Sequence, residues 1–504
     1  MMKKTLIFIH KWLGITLALP FLVWFVSGIV LYYVPFPNLT QEERLSALPP
    51  LQVGQKDCCL TAQQAASQAK VAFAEARFGM HGRQPVWRLL TKKPDQQWRT
   101  IDARTGSMLP PLSEPEAVRL AEAYSQRRAL HAEVLDRDQW TVTQGLNPYR
   151  PLVKVTLDGP GGLELYVSPG AAEVVRDTRR SERFWNWIGA VPHWIYFTEL
   201  RRRPDTWHHV VVWLALPGTL LALTGVAIGI WHLFLNRSRW IPYRKFWMRW
   251  HHMLGLAAGV VTVTWIFSGL LSMNPFGIFS SRSATAGERV QWSGPDAVAV
   301  LNPAAALQLA PHMQAREIDL IRFNGGVWYR LRGAPDFGNA SAAGTPGHVL
   351  VRADVPGAQP LSAFPEQAIR STLSGLRKNE INDIPVITRL DDYDDLYYTQ
   401  QSGSGARYTR PLPVLRAEWV DGIVMYADPA AARIMLRADA SNRWQRLLYN
   451  GLHSFDFAPL VASPLLRGSL IVLLSLLGIV LSTTSIVIAW CALSPRNGKK
   501  KRHA

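Results

Sequence analysis

Four stretches of the chain stay apolar over about the 20 residues that a helix needs to cross a hydrocarbon core: Leu13–Val34, Val210–Leu235, Met253–Met273 and Leu470–Leu493. No other feature constrains the fold as much. In lipid every backbone N–H and C=O must be satisfied internally, which leaves helices or closed barrels, and runs of this length read as helices. Composition agrees: 504 residues with 48% hydrophobic residues and 20 Trp carry a formal net charge of +18, too apolar for a soluble protein of that basicity. Nucleic acid, the usual partner of such a charge, is not expected, because the basic residues gather at short loops and termini without a nucleic-acid motif. The first stretch follows Lys3 and Lys4 as a signal peptide would. Its apolar core is longer than a signal's and no small-x-small cleavage site follows, so it reads as a retained span.

Charge sets the expected orientation. Lys3, Lys4 and Lys11 flank the first span, Arg237, Arg239, Arg244, Lys245 and Arg249 fill the short loop between the second and third, and Arg496, Lys499, Lys500, Lys501 and Arg502 form the tail. By the positive-inside rule these parts face the cytoplasm. Arg201, Arg202 and Arg203 break the pattern. They end a long translocated segment and read as an interfacial anchor. The chain then divides into a tail and first span (1–34), an outer domain (35–205), a second span (206–235), a cytoplasmic loop (236–250), a third span (251–273), a second outer domain (274–465), a fourth span (466–493) and a basic tail (494–504). Cys58 and Cys59 are adjacent and poorly placed to pair, and Cys491 sits in a span, so no disulfide is expected.

The two halves repeat each other. "HKWLGITLALPFLVWFVSGIV" from His10 aligns with "HHMLGLAAGVVTVTWIFSGLL" from His251, putting His10, Gly14, Trp24, Ser27 and Gly28 on His251, Gly255, Trp265, Ser268 and Gly269 at a shift of 251 − 10 = 241. "TIDARTGSML" around Asp102 matches "VRADVPGAQPL" around Asp354 at a shift of 252. "LYVSPGAAEVV" matches "MYADPAAARIM", and "RFWNWIGAVPH" matches "RWQRLLYNGLH", both at 260. An offset that rises in steps is what a tandem duplication with two insertions leaves. Corresponding spans run the same way, so a pseudo-two-fold axis should lie along the membrane normal. Each outer stretch reads as strand, turn, strand, giving two α+β units per copy, with helices over Leu60–Ala74 and Pro365–Ser374.

The turns "DARTG", "SPGAAE" and "DPAAA" resemble those of PepSY domains, and "IHKWLG", "WHHMLGL", "GAVPHWIYF" and "NGLHSFDF" beside the spans resemble the PepSY-associated transmembrane-helix family. The resemblance covers nearly the whole chain. It implies a four-span helical bundle with two periplasmic PepSY-like α+β domains. It also implies kinship with inner-membrane haem proteins that reduce ferric siderophores or pass electrons across the membrane.

Of 13 histidines, eight lie in or beside the spans: His10, His232, His251 and His252 at the cytoplasmic face, and His193, His208, His209 and His453 at the outer face. Ionisable groups at membrane depth are costly and usually face a bundle interior where they serve a function. Two imidazoles donated from separate helices are what a six-coordinate haem requires. His10 and His251 hold equivalent repeat positions, as do His193 and His453, so the axis should bring each pair face to face. His208 and His209, and His232 with His252, are the reserves. For an isolated histidine, an interfacial hydrogen bond is the commoner role. Zinc would ordinarily call for Cys or carboxylate partners that neither cluster has.

Ser27-Gly28, Ser268-Gly269 and Thr224-Gly225 read first as close helix packing, with approach to a haem as the alternative. "RLDDYDDLYY", Arg389 to Tyr398, reads as a solvated loop, with docking of a cationic or metal-bearing substrate as the alternative. No dinucleotide fingerprint or phosphate loop is present, so electrons must come from a cytoplasmic reductase or from quinol. The expected function is therefore haem b electron transfer through two haems, as a membrane oxidoreductase reducing a ferric siderophore or another periplasmic acceptor, with no catalytic residue assigned. The alternative is a non-catalytic membrane scaffold whose PepSY domains bind or regulate a periplasmic partner.

Overall fold

The computed structural model describes residues 2–54, 58–235, 241–334, 347–378, 383–402, 405–408 and 410–494. Arg237, Arg239, Arg496, Lys499, Lys500, Lys501 and Arg502 lie outside the described residues. Four long apolar helices pack together as spans one to four: Met2–Tyr33, Pro204–Leu235, Phe246–Ser272 and Pro464–Leu493. Each starts before the apolar stretch that announces it. The helical ladder continues through interfacial residues such as Trp207 and Trp247, since amphipathic rings suit the boundary. Gly478 of span four has no Cβ, and one built there would overlap the Phe25 ring, so that close approach of spans one and four requires glycine. The ends of the bundle are called here the loop face, where the second span gives way to the third, and the sheet face.

On the sheet face the first half contributes β1 (Phe73–His81), β2 (Gln84–Thr91), β3 (Trp98–Asp102), β4 (Ala129–Leu135), β5 (Leu152–Leu157), β6 (Glu164–Ser168) and β7 (Glu173–Thr178). The second contributes β8 (Ala315–Phe323), β9 (Gly326–Gly333), β10 (His348–Arg352), β11 (Val386–Leu390), a hairpin of β12 (Gln400–Ser402) and β13 (Gly405–Tyr408), then β14 (Val414–Glu418), β15 (Val424–Asp428) and β16 (Arg433–Ala438). Strands β1 and β8 both have nine residues, β2 and β9 eight, β3 and β10 five, which is the duplication seen in three dimensions. The turn "SPGAAE" joins β6 to β7 with Ala172 at φ 48°, and "DPAAAR" joins β15 to β16 with Ala432 at φ 45°.

The leading units of the two halves merge. Strand β1 pairs antiparallel with β8, Arg77 opposite Asp319 and Phe78 opposite Ile318, making one six-stranded sheet in the order β10-β9-β8-β1-β2-β3. That order reads the same from either end under the repeat. Each three-stranded unit would otherwise present an unpaired edge, and the duplicate copy supplies the matching one. The fused sheet buries Phe78, Trp87, Ile318 and Tyr329 completely in one core, worth roughly 1.5–3 kcal/mol for each large apolar side chain. The trailing units stay separate as β4-β5-β6-β7 and β11-β14-β15-β16.

Two expectations are corrected. Cys58 and Cys59 form a disulfide between neighbours, which the backbone permits by placing Cys59 at φ 116°. The helix expected over Leu60–Ala74 spans only Ala62–Gln68: Thr61 and Gln64 cap its start, Lys70 turns left-handed at φ 56°, and β1 has begun by Phe73. The β-branched and aromatic residues at the end of that window prefer the sheet. The second helix, Glu366–Gly375, lies where its pattern placed it.

Candidate functional site

The pseudo-two-fold axis brings equivalent histidines together at both faces. His10 of span one and His251 of span three have ring centres 6.2 Å apart near the loop face. His193 and His453, each just before a sheet-face end of its half's second span, have ring centres 6.1 Å apart. Two imidazoles bound trans to one metal ion, with bonds of ~2.0 Å and about 1.1 Å from each nitrogen to its ring centre, would stand ~6.2 Å apart. Both pairs have that spacing.

Their orientation is fixed by hydrogen bonds at Nδ1. His10 Nδ1 lies 3.1 Å from the Leu221 carbonyl oxygen, and His453 Nδ1 lies 3.2 Å from that of Trp265. A carbonyl only accepts, so Nδ1 carries the proton. His251 Nδ1 lies 3.1 Å from Thr484 Oγ1 and 3.3 Å from Ser485 Oγ, while His193 Nδ1 lies 3.1 Å from Ser27 Oγ. Thr484 and Ser485 both donate to the Leu481 carbonyl, and Ser27 donates to that of Trp24. Having spent their single protons on their own helices, these hydroxyls accept from the imidazoles. All four rings are thus set in the tautomer whose lone pair is on Nε2, as metal-ligating imidazoles are. Burial also pushes the His453 imidazole below its ordinary value, outweighing the Trp265 carbonyl, and so keeps it neutral.

Glycines make room for the rings. A Cβ at Gly225 would lie 2.7 Å from His10 Cε1, one at Gly28 3.3 Å from His193 Cε1, and one at Gly269 3.4 Å from His453 Cε1. The neighbour that the Ser-Gly and Thr-Gly pairs admit is therefore an imidazole, with the hydroxyl and the missing side chain acting on the same ring. The outer histidines are aimed by irregular backbone. Half one breaks its helix at Gly189 before His193; half two passes through a π-helical turn, Arg446–Gly451, before His453. Ile195 and Phe455, each two residues beyond its histidine, sit at φ 54° and 49°, a conformation costly for bulky side chains and characteristic of functional sites.

Each pair opens on a cavity. That at the loop face is about 390 Å³ and that at the sheet face about 470 Å³, with Phe21, Phe25 and Thr262 lining both. Along span one, His10 and Gly28 are 18 residues apart, or ~27 Å at the helical rise, and His251 and Gly269 repeat that interval. Two sites therefore stack through the bundle with an aromatic partition between them.

The other histidines fall elsewhere. His208 Nε2 lies 2.9 Å from the Met273 carbonyl oxygen, its ring 5.5 Å from that of His209, and neither lines the sheet-face cavity. His232 and His252 contact each other at 6.0 Å and both touch Tyr243, with His252 and Tyr243 on the loop-face cavity wall. The acidic loop is built into the second half. Asp394 accepts from the backbone N–H of Leu396 and Tyr397 and from the Tyr426 hydroxyl, and Tyr397 stacks on Tyr426. Asp391, Asp392 and Asp395 remain exposed. Among the described residues no three His, Cys, Asp or Glu side chains gather to hold a metal ion.

A four-helix bundle duplicated about an axis through its centre, carrying antiparallel α+β units on one face, defines an integral membrane protein with paired internal sites. The family model described as the PepSY-associated TM region matches residues 8–492, and the chain belongs to that family. No curated protein matches it.

Proposed function

We propose that this protein is a haem b electron conduit of a bacterial inner membrane. It takes electrons at the loop face, on the cytoplasmic side, from a reductase or from quinol, and delivers them on the periplasmic side to a ferric siderophore or a similar acceptor. The observation that carries the reading is the pair of symmetry-related imidazole pairs, each with the spacing of two trans ligands and each with Nδ1 protonated. Two protein donors per site are what an ion already held by four pyrrole nitrogens needs. Haem, if bound there, would supply a one-electron ferric/ferrous couple. The chain's own residues would do the rest: His10 with His251 and His193 with His453 would hold such a group through Nε2, the hydroxyls and carbonyls at Nδ1 fix the rings, and Phe21, Phe25 and Thr262 keep water from the path between the two sites. A ferric ion in hard oxygen ligands is a fitting acceptor, because the softer ferrous ion is held less firmly by them and is released.

The visible spectrum of the purified chain tests this. A Soret band with a pyridine-haemochrome ratio of two b-type haems per chain is expected, non-covalent because no C-x-x-C-H motif occurs. Dithionite-reduced protein should then be reoxidised by ferric siderophores, with ferrous iron trapped by a chelator. No Soret band in protein from haem-replete cells would overturn the reading and leave the scaffold alternative.

The glycine at the first pair gives a sharper variant. Gly225→Ala places a methyl group 2.7 Å from His10 Cε1, where something must shift. The loop-face haem should turn high-spin or be lost while the other stays low-spin, read by EPR. An unchanged loop-face signal would show that His10 does not depend on this gap.

A further inference from the structure

The three arginines that precede span two differ in their surroundings. Arg202 is exposed and paired, 3.2 Å from Glu199 and 3.9 Å from Asp136, and Arg203 is exposed. Arg201 is only 8% exposed. Its guanidinium carbon stands 4.4 Å from the centre of the Trp207 ring and 5.1 Å from that of Tyr196. The indole is held in place by its N–H, which donates to the Trp194 carbonyl at 2.9 Å. Nε and Nη1 of Arg201 are enclosed and meet no acceptor, and no carboxylate among the described residues forms an ion pair with this side chain. Two aromatic faces offset part of the cost of burying the charge but do not replace its hydrogen bonds. The second half shows that the fold does not demand an arginine here: the short helix Thr198–Arg201 has its counterpart at a shift of 260 in Ala458–Val461, which ends on valine.

The rings under Arg201 line the sheet-face cavity, but Arg201 does not, so its partner comes from outside the bundle. Depth indicates which partner. Trp207 precedes the apolar stretch that begins at Val210 by three residues, ~4.5 Å at the helical rise, and the polar layer beyond the hydrocarbon core is ~5–7 Å deep on each side. The guanidinium on that ring therefore lies at the level of lipid headgroups. We propose that Arg201 holds the phosphodiester of a phospholipid in the sheet-face leaflet, at a defined site behind the wall that Tyr196 and Trp207 form. Nη2 is not among the enclosed nitrogens and gives the approach. Guanidinium suits the task because its planar fork matches phosphate oxygens and it stays charged when buried. Val210, Trp213 and Leu220, exposed further along the span, offer apolar surface to the acyl chains. The site is independent of the haem reading and rests only on the chain's place in a membrane.

The test follows the full-length chain in mild detergent by native mass spectrometry as dioleoylphosphatidylglycerol is added, with dioleoylglycerol, which lacks the phosphate, in parallel. One phospholipid per chain should survive collision energies that strip the rest, and dioleoylglycerol should not be retained. Arg201→Gln should weaken that first binding step ~10- to 100-fold, the value of one charge-assisted hydrogen bond. Arg201→Lys should keep most of it, and Arg202→Gln, which removes a charge already paired, should leave it unchanged. No retained phospholipid, equal retention of the two lipids by the wild-type chain, or equal binding by wild type and Arg201→Gln overturns the proposal. If Arg201→Gln does not fold, the wild-type comparison of the two lipids decides alone. Displacement of the retained lipid by millimolar inorganic phosphate would assign the site to a free phosphate and overturn its assignment to a lipid.

Discussion

On the haem reading proposed above, His453→Ala should abolish the low-spin signal of a haem at the sheet face and leave one at the loop face spectroscopically intact, and His251→Ala should do the reverse. The two pairs are ~27 Å apart along the spans, each ring is oriented by its own partners, and no histidine is shared, so the sites should respond independently. Loss of one imidazole would leave the iron of such a haem with one protein donor or with a substitute. His252 is the natural substitute at the loop face, since it lines that cavity, so His251→Ala is expected to change spin state more than haem content. His453→Ala should also stop delivery to an external ferric acceptor while reduction from the loop face continues. Pyridine-haemochrome counts and low-temperature EPR on the two variants decide it. If both substitutions perturb one signal, a single site is present and the pairing is wrong.

The spans and their repeat were legible in the sequence because both rest on strong, local signals. A bilayer demands long apolar runs, and a duplication leaves a stepped offset that chance does not imitate. The juxtaposition of His10 with His251 and of His193 with His453 follows from that offset alone, since equivalent positions near an axis must meet. Less legible was the fusion of the two outer regions. Each half's β1 or β8 reads the same whether its edge is capped locally or by the other copy, and only the fold decides between them. The Cys58–Cys59 pair was misread because adjacent cysteines bond only when the backbone takes an uncommon turn, which sequence does not announce.

The Ser-Gly and Thr-Gly pairs carried a signal that helix-packing arguments undervalue. A small residue beside a hydroxyl serves a neighbouring helix or an imidazole equally well in one dimension. Their recurrence next to each histidine's partner span was the clue: Ser27 and Ser268 share a repeat position, as do Thr224 and Thr484. Thr224 Oγ1 lies 3.4 Å from His10 Nδ1, and Thr484 Oγ1 3.1 Å from that of His251.

The second large effect is expected far from the histidines, where the halves are clasped together. Arg44, on the helix Gln41–Ala47 that follows span one, reaches Glu317 of β8 at 2.6 Å and Glu173 of β7 at 3.3 Å, while Arg77 of β1 meets Glu173 at 2.7 Å. One buried cluster therefore joins three elements of the first half to the first strand of the second. Burial alone would push the Glu317 carboxyl up, but Arg44 and Arg77 together hold it well below the usual carboxylate range. A group depressed in this way contributes stability that is complete above its unfolded value and is lost as pH falls through its native one. Glu317→Gln keeps the shape and removes the charge, leaving Arg44, Arg77, Arg88, Arg330 and Arg332 with only Glu173 and Asp319 to meet them in a desolvated site. Breaking a buried pair from one side costs about 3–5 kcal/mol, so amide exchange at the β1–β8 seam, at Phe78 and Ile318, should accelerate ~100-fold or more. The variant should also lose the acid sensitivity that the wild-type seam gains from this carboxylate below the ordinary carboxylate range. Exchange within a few-fold of wild type at neutral pH would mean that the six-stranded sheet is held by its apolar core alone, with the cluster adding nothing to the union of the two halves.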